Sequence, residues 1–253
     1  MVKQKIAIAI DKALLDLIDV KVDSVFPSRS QAIEHFLRKG LQEELLKTAV
    51  LLLKGEHQEY SLKKIKGESL IESQISFLKG YDIKDIHIVT QKSKYFLTFM
   101  DEVEKVKKKE HLNIYVHEKD VKGNAQALFA IKQWLTENFI AMSADLQMQF
   151  NLRSMIKKHL DFGKPATIGL MMRDKPAQFG NAILDGDFVV DFIEKPKQVK
   201  SYAVNAGIYV FSPKIFSYIK KAASLEKDVF PKLAKARQLI GYFVKGKYRH
   251  MEE

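Results

Sequence analysis

The chain has 253 residues, no cysteine and a formal net charge of +11. The lack of cysteine excludes disulfides and thiolate metal sites and is typical of a cytoplasmic protein. No apolar run reaches the roughly 18 residues that a membrane-spanning helix needs, and the opening segment Val2-Lys3-Gln4-Lys5 lacks the apolar stretch of a signal peptide. We therefore expect neither a signal peptide nor a membrane partner.

The positive charge is unevenly distributed along the chain. Residues 1–47 contain 8 Lys and Arg against 7 Asp and Glu, whereas residues 194–253 contain 13 against 5. A basic region of this kind suits a polyanionic partner, whose phosphates it can contact. A lysine-rich surface that is simply solvated explains the same composition, and both interpretations stay open.

The first 47 residues have the pattern of a strand followed by two helices. Residues Lys5–Ile10 alternate apolar with small or polar side chains, which predicts a strand with one buried face. Asp11 is suited to cap a first helix, and the segment Asp23–Pro27 ends it. Ser28–Gln31 then has the spacing of a capping box, which predicts the start of a second helix.

This order of elements, together with the Ser28-Arg29-Ser30 opening, resembles the ribbon-helix-helix transcription regulators. Nothing within the unit covers the face of Ile6, Ile8 and Ile10, so we expect the strand to pair with that of a second chain, giving a dimer or a tetramer. The resemblance implies double-stranded DNA as a partner. It places the DNA contacts on Lys3, Lys5, Ala7 and Ala9 of the ribbon and on Ser28, Arg29 and Ser30. The alternative is that the strand and both helices pack onto the rest of the chain.

From Thr48 onward, apolar runs of strand length alternate with helical patterns. Such alternation predicts an α/β fold with a mostly parallel, Rossmann-like sheet flanked by helices. We place the domain boundary so that residues 1–47 and 48–253 form two domains. The predicted strands and helices of the second domain include Ala49–Leu53, a helix opening at Ser69–Glu72, Ile86–Thr90, Leu112–Val116, the helix Ala125–Glu137, Phe139–Ser143, Ala166–Met172, a hairpin around Asp185-Gly186-Asp187, and Ala206–Phe211.

Six short motifs of this region resemble the sugar-phosphate nucleotidyltransferases over about residues 48–249. They are Ala49–Gly55, Ile65–Glu72, Gly123–Leu128, Ser143-Ala144-Asp145, Phe192–Pro196 and Asn205–Phe211. Members of this family join a sugar phosphate to a nucleoside triphosphate and release pyrophosphate. The resemblance implies a ligand-binding pocket formed by Lys54, Gly55, Gly123, Asn124, Asp145, Glu194, Lys195 and Asn205.

Some of these residues also have simpler explanations. Asp145 is the one candidate metal ligand, but it equally suits a cap on the segment that follows. Lys195 either reaches a sugar phosphate or pairs with Glu194, and Asn205 either binds a sugar hydroxyl or stabilises a turn. The histidines lack the spacing of a zinc site, so we expect no dedicated metal site.

The loop after the first strand departs from the family pattern. Only Gly55 remains of its glycines, and the position of the family's arginine aligns with Glu59. By a loose match, Met251 replaces an aspartate. A carboxylate beside the departing pyrophosphate repels it, so these changes predict a domain with no catalytic residue, that is, a pseudoenzyme. We accordingly expect no cofactor, and magnesium only if the domain is an enzyme.

These observations lead to a DNA-binding transcription regulator as the main hypothesis. Its second domain acts as an oligomerisation module or as a sensor of a nucleotide or nucleotide-sugar effector. The alternative is an active sugar-phosphate nucleotidyltransferase with an unusual loop and an N-terminal dimerisation unit. A third possibility is a second domain that binds no ligand and recruits another protein. Glu59 separates the first two hypotheses, because catalysis requires a cation at its position.

Overall fold

A computed structural model describes residues 6–22, 25–40, 46–65, 67–220 and 223–250 of the chain. The chain forms two compact units, residues 1–44 and 45–253. Lys3, Lys5 and Met251, to which the sequence assigned roles, lie outside the described residues.

The N-terminal unit contains helices α1 (Lys12–Asp19) and α2 (Arg29–Gly40). Asp11 caps α1, because its carboxylate accepts the backbone N–H groups of residues 13 and 14. The hydroxyl of Ser28 accepts the N–H of Gln31 at 3.3 Å, as the predicted cap of α2 requires. The helix starts predicted from the sequence are therefore confirmed.

The strand predicted for Lys5–Ile10 is absent from its described part, residues 6–10. A strand is stable only when another strand satisfies its backbone hydrogen bonds, and the described residues provide none here. Ile6 and Ile8 are consequently 72% and 51% exposed. The described residues of the single chain thus do not show the ribbon-helix-helix architecture.

The C-terminal unit contains thirteen strands among its described residues. A nine-stranded sheet has the order β5-β4-β1-β6-β11-β8-β12-β10-β9, and two small sheets pair β13 with β7 and β2 with β3. The strands are β1 (Thr48–Leu53), β2 (Lys64–Ile65), β3 (Glu68–Ser69), β4 (Asp85–Thr90), β5 (Asn113–Glu118), β6 (Phe139–Ser143), β7 (Leu146–Phe150), β8 (Ala166–Met172), β9 (Gly180–Asp185), β10 (Phe188–Glu194), β11 (Ala203–Phe211), β12 (Leu239–Phe243) and β13 (Gly246–His250).

Helices cover both faces of the large sheet. They are α3 (Gln58–Leu62), α4 (Leu70–Lys79), α5 (Phe96–Glu110), α6 (Asn124–Ala130), α7 (Leu152–Phe162), α8 (Phe216–Ile219) and α9 (Phe230–Lys235). Ser69 caps α4 through the predicted capping box with Glu72. In the part of the chain that the structure describes, no helix has both the length and the apolar character needed to cross a membrane.

The direction of the strands divides the sheet into two halves. β5, β4, β1 and β6 run parallel, whereas β11 is antiparallel to both β6 and β8. Side chains on one face of the sheet pack with α4, α5 and α7, and those on the other face pack with α6, α8 and α9. The predicted α/β nucleotidyltransferase-like fold with a sheet between helices is confirmed, with a mixed sheet.

Candidate active site

A cavity of about 820 Å³ lies at the carboxyl ends of the parallel strands. Its walls include residues that follow β1, β4, β5 and β6, and others from β10 and β11. Open α/β sheets bind ligands at this edge, because the loops that leave neighbouring strands diverge there. A cavity of this volume accommodates a ligand of nucleotide-sugar size.

The cavity brings together seven of the eight pocket residues expected from the sequence. Gly55 is the exception, since it is buried and does not line the cavity. A Cβ atom at this position would lie 3.0 Å from the carbonyl oxygen of Gln91, so the close approach of two backbones favours glycine here. The seven that do line the cavity are Lys54, Gly123, Asn124, Asp145, Glu194, Lys195 and Asn205.

The turn after β1 begins with a single 3-10 turn, Gly55–His57, and continues into the short helix α3. His57 is only 8% exposed and lines the cavity. Glu59, two residues later, is exposed and does not line the cavity. The turn therefore directs an imidazole, rather than the predicted carboxylate, to the site.

Asp145 follows β6 and is nearly buried at the cavity wall. Its Oδ2 atom lies 3.1 Å from Nδ1 of His57, and its Oδ1 atom accepts the hydroxyl of Ser143 at 2.5 Å. An ionised carboxylate can only accept hydrogen bonds, so His57 carries its proton on Nδ1 in this contact. The sequence left open that Asp145 caps the segment that follows it. Both of these contacts are instead made to other side chains.

The loop after β5 contributes a mostly basic wall. Lys119 and Lys122 line the cavity beside Gly123, whose φ of 95° lies in the left-handed region. A Cβ atom on Gly123 would come within 2.3 Å of the carbonyl oxygen of Ala223. Both the φ angle and this close contact require glycine, so the backbone path of the loop is fixed by the sequence at this point.

Residues of β10 and β11, together with Glu226, contribute carboxyl, hydroxyl and amide groups to the cavity wall. The amide of Asn205 donates to the hydroxyl of Tyr209 at 2.8 Å, and this hydroxyl donates to Glu226 at 3.3 Å. Burial, and then the neighbouring carboxylate of Glu226, raises the pKa of Glu194 above its usual value. Burial likewise raises the pKa of the Tyr209 phenol, which keeps it neutral and able to donate.

Two cavity residues, His57 and Glu226, had no signal in the sequence. His57 contacts Asp145, which is 88 positions away, and Glu226 accepts the amide of Asn124 across 102 positions. No local periodicity in the sequence reveals contacts over such separations. Tyr209 lies within the Asn205–Phe211 motif, where no local pattern distinguishes its side chain from its neighbours.

The nucleotidyl transferase family profile matches residues 58–248, which is most of the chain. The chain belongs to this family. Its fold is also that of a solved UDP-glucose pyrophosphorylase in complex with UDP-glucose, with a TM-score of 0.69 and 17% identity over 82% of this chain and 94% of that chain.

Curated relatives carry enzyme names. The chain is 33% identical over 138 residues to the mannose-1-phosphate guanylyltransferase catalytic subunit beta of Drosophila pseudoobscura pseudoobscura, covering 53% of this chain and 37% of the relative. It is 30% identical over 160 residues to the mannose-1-phosphate guanyltransferase beta-B of Xenopus laevis, covering 60% and 44%. The chain thus spans less than half the length of these two relatives.

The main functional hypothesis from the sequence, a DNA-binding transcription regulator, is wrong. The family and the relatives are those of nucleotidyltransferases. The residues assigned to DNA also fail to form the expected surface, because Ala7 and Ala9 lie in no strand. The guanidinium of Arg29 instead binds the carboxylate of Asp19 through two hydrogen bonds of 2.5 and 2.6 Å. Ser28 and Ser30 sit at the start of α2, where the Ser28 hydroxyl caps the helix.

The prediction of a pseudoenzyme is wrong for a related reason. It rested chiefly on a carboxylate at Glu59 repelling pyrophosphate inside a site that excludes water. Because Glu59 is exposed and outside the cavity wall, solvent screens its charge from the cavity. The finding that overturns the prediction is that the family and the named relatives are those of nucleotidyltransferases. The cavity wall carries Lys54, Lys119, Lys122 and Lys195 beside the carboxylates of Asp120, Asp145, Glu194 and Glu226.

Proposed function

We propose that this chain is a sugar-phosphate nucleotidyltransferase. The observation that carries the proposal is the composition of the cavity wall, which combines lysines with a polar, hydrogen-bonded network. The lysines come from the loops after β1 and β5, and the network of Asn205, Tyr209 and Glu226 is joined to the loop after β5 by the amide of Asn124. Lysines suit a triphosphate, and a cluster of donors and acceptors suits the hydroxyls of a sugar.

In the proposed reaction, a phosphate oxygen of the sugar 1-phosphate attacks the α-phosphorus of a nucleoside triphosphate. A new oxygen–phosphorus bond forms while the bond from the α-phosphorus to the bridging oxygen breaks, and pyrophosphate leaves with the electron pair. Positioning and charge stabilisation dominate catalysis of such a transfer. We assign the neutralisation of phosphate charge to Lys54, Lys119 and Lys122, and the orientation of the sugar phosphate to Lys195.

Magnesium fits this site when phosphates complete its ligands. Within the described ranges, no group of three or more His, Asp or Glu side chains can hold a metal alone. Asp145 lines the cavity, and His57 and Ser143 hold its carboxylate there. Magnesium is commonly held by one or two carboxylates together with substrate phosphates, where it neutralises charge. We therefore assign Asp145 as its protein ligand.

We infer mannose 1-phosphate and GTP as the substrates to test first, since the curated relatives are named as mannose-1-phosphate guanylyltransferases. The purified chain, incubated with both compounds and magnesium, should release pyrophosphate, and chelation of the metal should stop the release. A coupled phosphate assay after pyrophosphatase treatment measures this. Each of the four nucleoside triphosphates can be tested with mannose 1-phosphate and with glucose 1-phosphate. Pyrophosphate release no higher than background in every combination would contradict the proposal.

The N-terminal unit is proposed to join two copies of the chain. Within its described residues, only Ile18 and Ala32 are buried apolar side chains, and eight large apolar side chains are exposed. A unit of 44 residues with so small a core usually needs another chain to cover its apolar surface. The exposed side chains are Ile6, Ile8, Leu14, Leu17, Val20, Val25, Phe36 and Leu37.

Ile8→Asp should therefore convert a dimer into a monomer. The substitution places a charge where we expect the apolar contact, and burying two unpaired carboxylates costs far more than the contact provides. Size-exclusion chromatography with light scattering at micromolar concentration measures the mass. Lys12→Asp, a charge change at the polar start of α1, should leave the dimer intact. A monomeric wild-type protein would refute this assignment.

A further inference from the structure

The turn after β1 is held rigidly against the edge of the sheet. Gln58, at the start of α3, is completely buried. Its amide donates to the hydroxyl of Thr90 at 2.9 Å and to the carbonyl of Gln91 at 2.8 Å, and it accepts the hydroxyl of Ser93 at 2.5 Å. Because a buried amide with three such partners has little freedom, the backbone of the neighbouring residue, His57, is fixed as well.

His57 uses this fixed position to reach across the site to β6. Its Nδ1 atom lies 3.1 Å from Oδ2 of Asp145, and both side chains are about one-tenth exposed. The contact is therefore largely shielded from solvent, where a hydrogen bond to a carboxylate is stronger than on an open surface. Ser143 holds the other oxygen of the same carboxylate.

These two donors determine how the carboxylate of Asp145 is oriented. An ionised carboxylate has two acceptor sites on each oxygen, and this residue lines the cavity. A carboxylate whose two oxygens both accept hydrogen bonds is held in one orientation about its Cβ–Cγ bond. Loss of the hydrogen bond from His57 removes one of these constraints.

We infer that His57 is a positioning residue, whose Nδ1–H orients Asp145 for a divalent cation bound with the phosphates of the substrate. The inference rests on the proposed function, since it concerns the same cavity. Hydrogen-bond partners that orient a metal ligand usually contribute a factor of about 10 to 100 in metal affinity. His57 therefore acts on the metal through Asp145 and has no assigned contact with the transferred group.

The test measures the affinity for Mn²⁺, detected by electron paramagnetic resonance, in the full chain saturated with GTP. His57→Leu removes the hydrogen-bond donor and replaces the imidazole with an apolar side chain of similar volume. The affinity of this variant for Mn²⁺ should fall about 10-fold. His57→Asn places an amide N–H near the position of Nδ1 and should stay within about threefold of wild type. His111→Asn makes the same exchange at an exposed histidine that follows α5 and should change nothing.

Two further measurements separate orientation of Asp145 from a general structural role. The GTP affinity of His57→Leu in the presence of EDTA should be within about twofold of that of wild type. Its melting temperature should be within about 2 °C of that of wild type. Nitrogen NMR of the wild-type imidazole should show the tautomer protonated at Nδ1. Both results are independent of turnover.

The outcomes distinguish this inference from the proposed function. Wild-type Mn²⁺ affinity in His57→Leu overturns the inference, as does a wild-type protein that takes up no Mn²⁺. A loss of GTP affinity in EDTA equal to the loss of Mn²⁺ affinity also overturns it, because the substitution then disturbs the whole cavity. If the Mn²⁺ affinities follow the expected order but no pyrophosphate is released, the proposed function fails and the role of His57 stands.

Discussion

Asp145→Asn should reduce pyrophosphate release from GTP and mannose 1-phosphate by at least about 100-fold. The substitution keeps the shape of the side chain and removes its negative charge, and a neutral amide is a much weaker ligand for magnesium. Its effect also reaches His57, because the hydrogen bond at 3.1 Å then loses its charged acceptor. Steady-state rates as a function of magnesium concentration measure the change. We expect a lower maximal rate together with a higher magnesium requirement.

The matched control is Asp161→Asn on α7, where the carboxylate is exposed and pairs only with Lys157 among its described contacts. Surface pairs of this kind contribute little, so this variant should retain full activity. A rate for Asp145→Asn within about threefold of the control would show that the charge of Asp145 has no part in the transfer. Magnesium would then have to be held by other groups.

The strands of the large sheet were predictable because burial on both faces leaves a direct record in the sequence. Residues 49–53 and 139–142 are continuous apolar runs, and they lie in β1 and β6, two interior strands of the sheet. Runs of this kind are typical of parallel strands covered by helices. The location of the residues that follow such strands is therefore predictable from the sequence. Lys54 and Asp145 are two of them.

The direction of side chains in the turn after β1 could not be predicted. α3 has five residues, too few for an apolar stripe to define which side faces the sheet. The position of Gln58 is instead set by its hydrogen bonds to Thr90 and Gln91, more than 30 residues away. Those contacts turn Glu59 away from the cavity and His57 toward it. The alignment of Glu59 with the family's arginine therefore led to the wrong prediction of a pseudoenzyme.

The N-terminal strand shows a second limit of sequence patterns. Alternation of apolar residues over Ile6–Ile10 indicates which side chains seek burial, but it does not provide a strand to pair with. In helices such as α1, by contrast, all partners of the backbone lie within the segment, and the cap at Asp11 was correctly predicted. Local hydrogen bonding explains why the helices of this unit were confirmed and its strand was not.

Acid should destabilise the C-terminal unit through His159. This side chain of α7 is only 1% exposed, and its Nδ1 lies 2.9 Å from the hydroxyl of Thr167 on β8. Burial lowers the pKa of His159 from 6.5 to about 4. The folded state thus prefers the neutral imidazole, so this stability is fully present above pH 6.5 and is lost as the pH falls toward 4. The loss at pH 4 amounts to about 3 kcal/mol.

His159→Asn removes the titrating group and places an amide near the position of Nδ1. The fall in the free energy of unfolding between pH 7 and pH 4 should therefore be smaller in this variant than in wild type, by about 3 kcal/mol. Urea unfolding at pH 7 and pH 4, followed by the fluorescence of Trp134, the single tryptophan, measures both values. Paired carboxylates such as Asp228, whose pKa is lowered by backbone N–H groups, titrate in both proteins, and their contribution cancels in the comparison. His111→Asn, at an exposed histidine, should behave as wild type. If His159→Asn and wild type lose the same stability, the imidazole of His159 is already accessible to protons in the folded state.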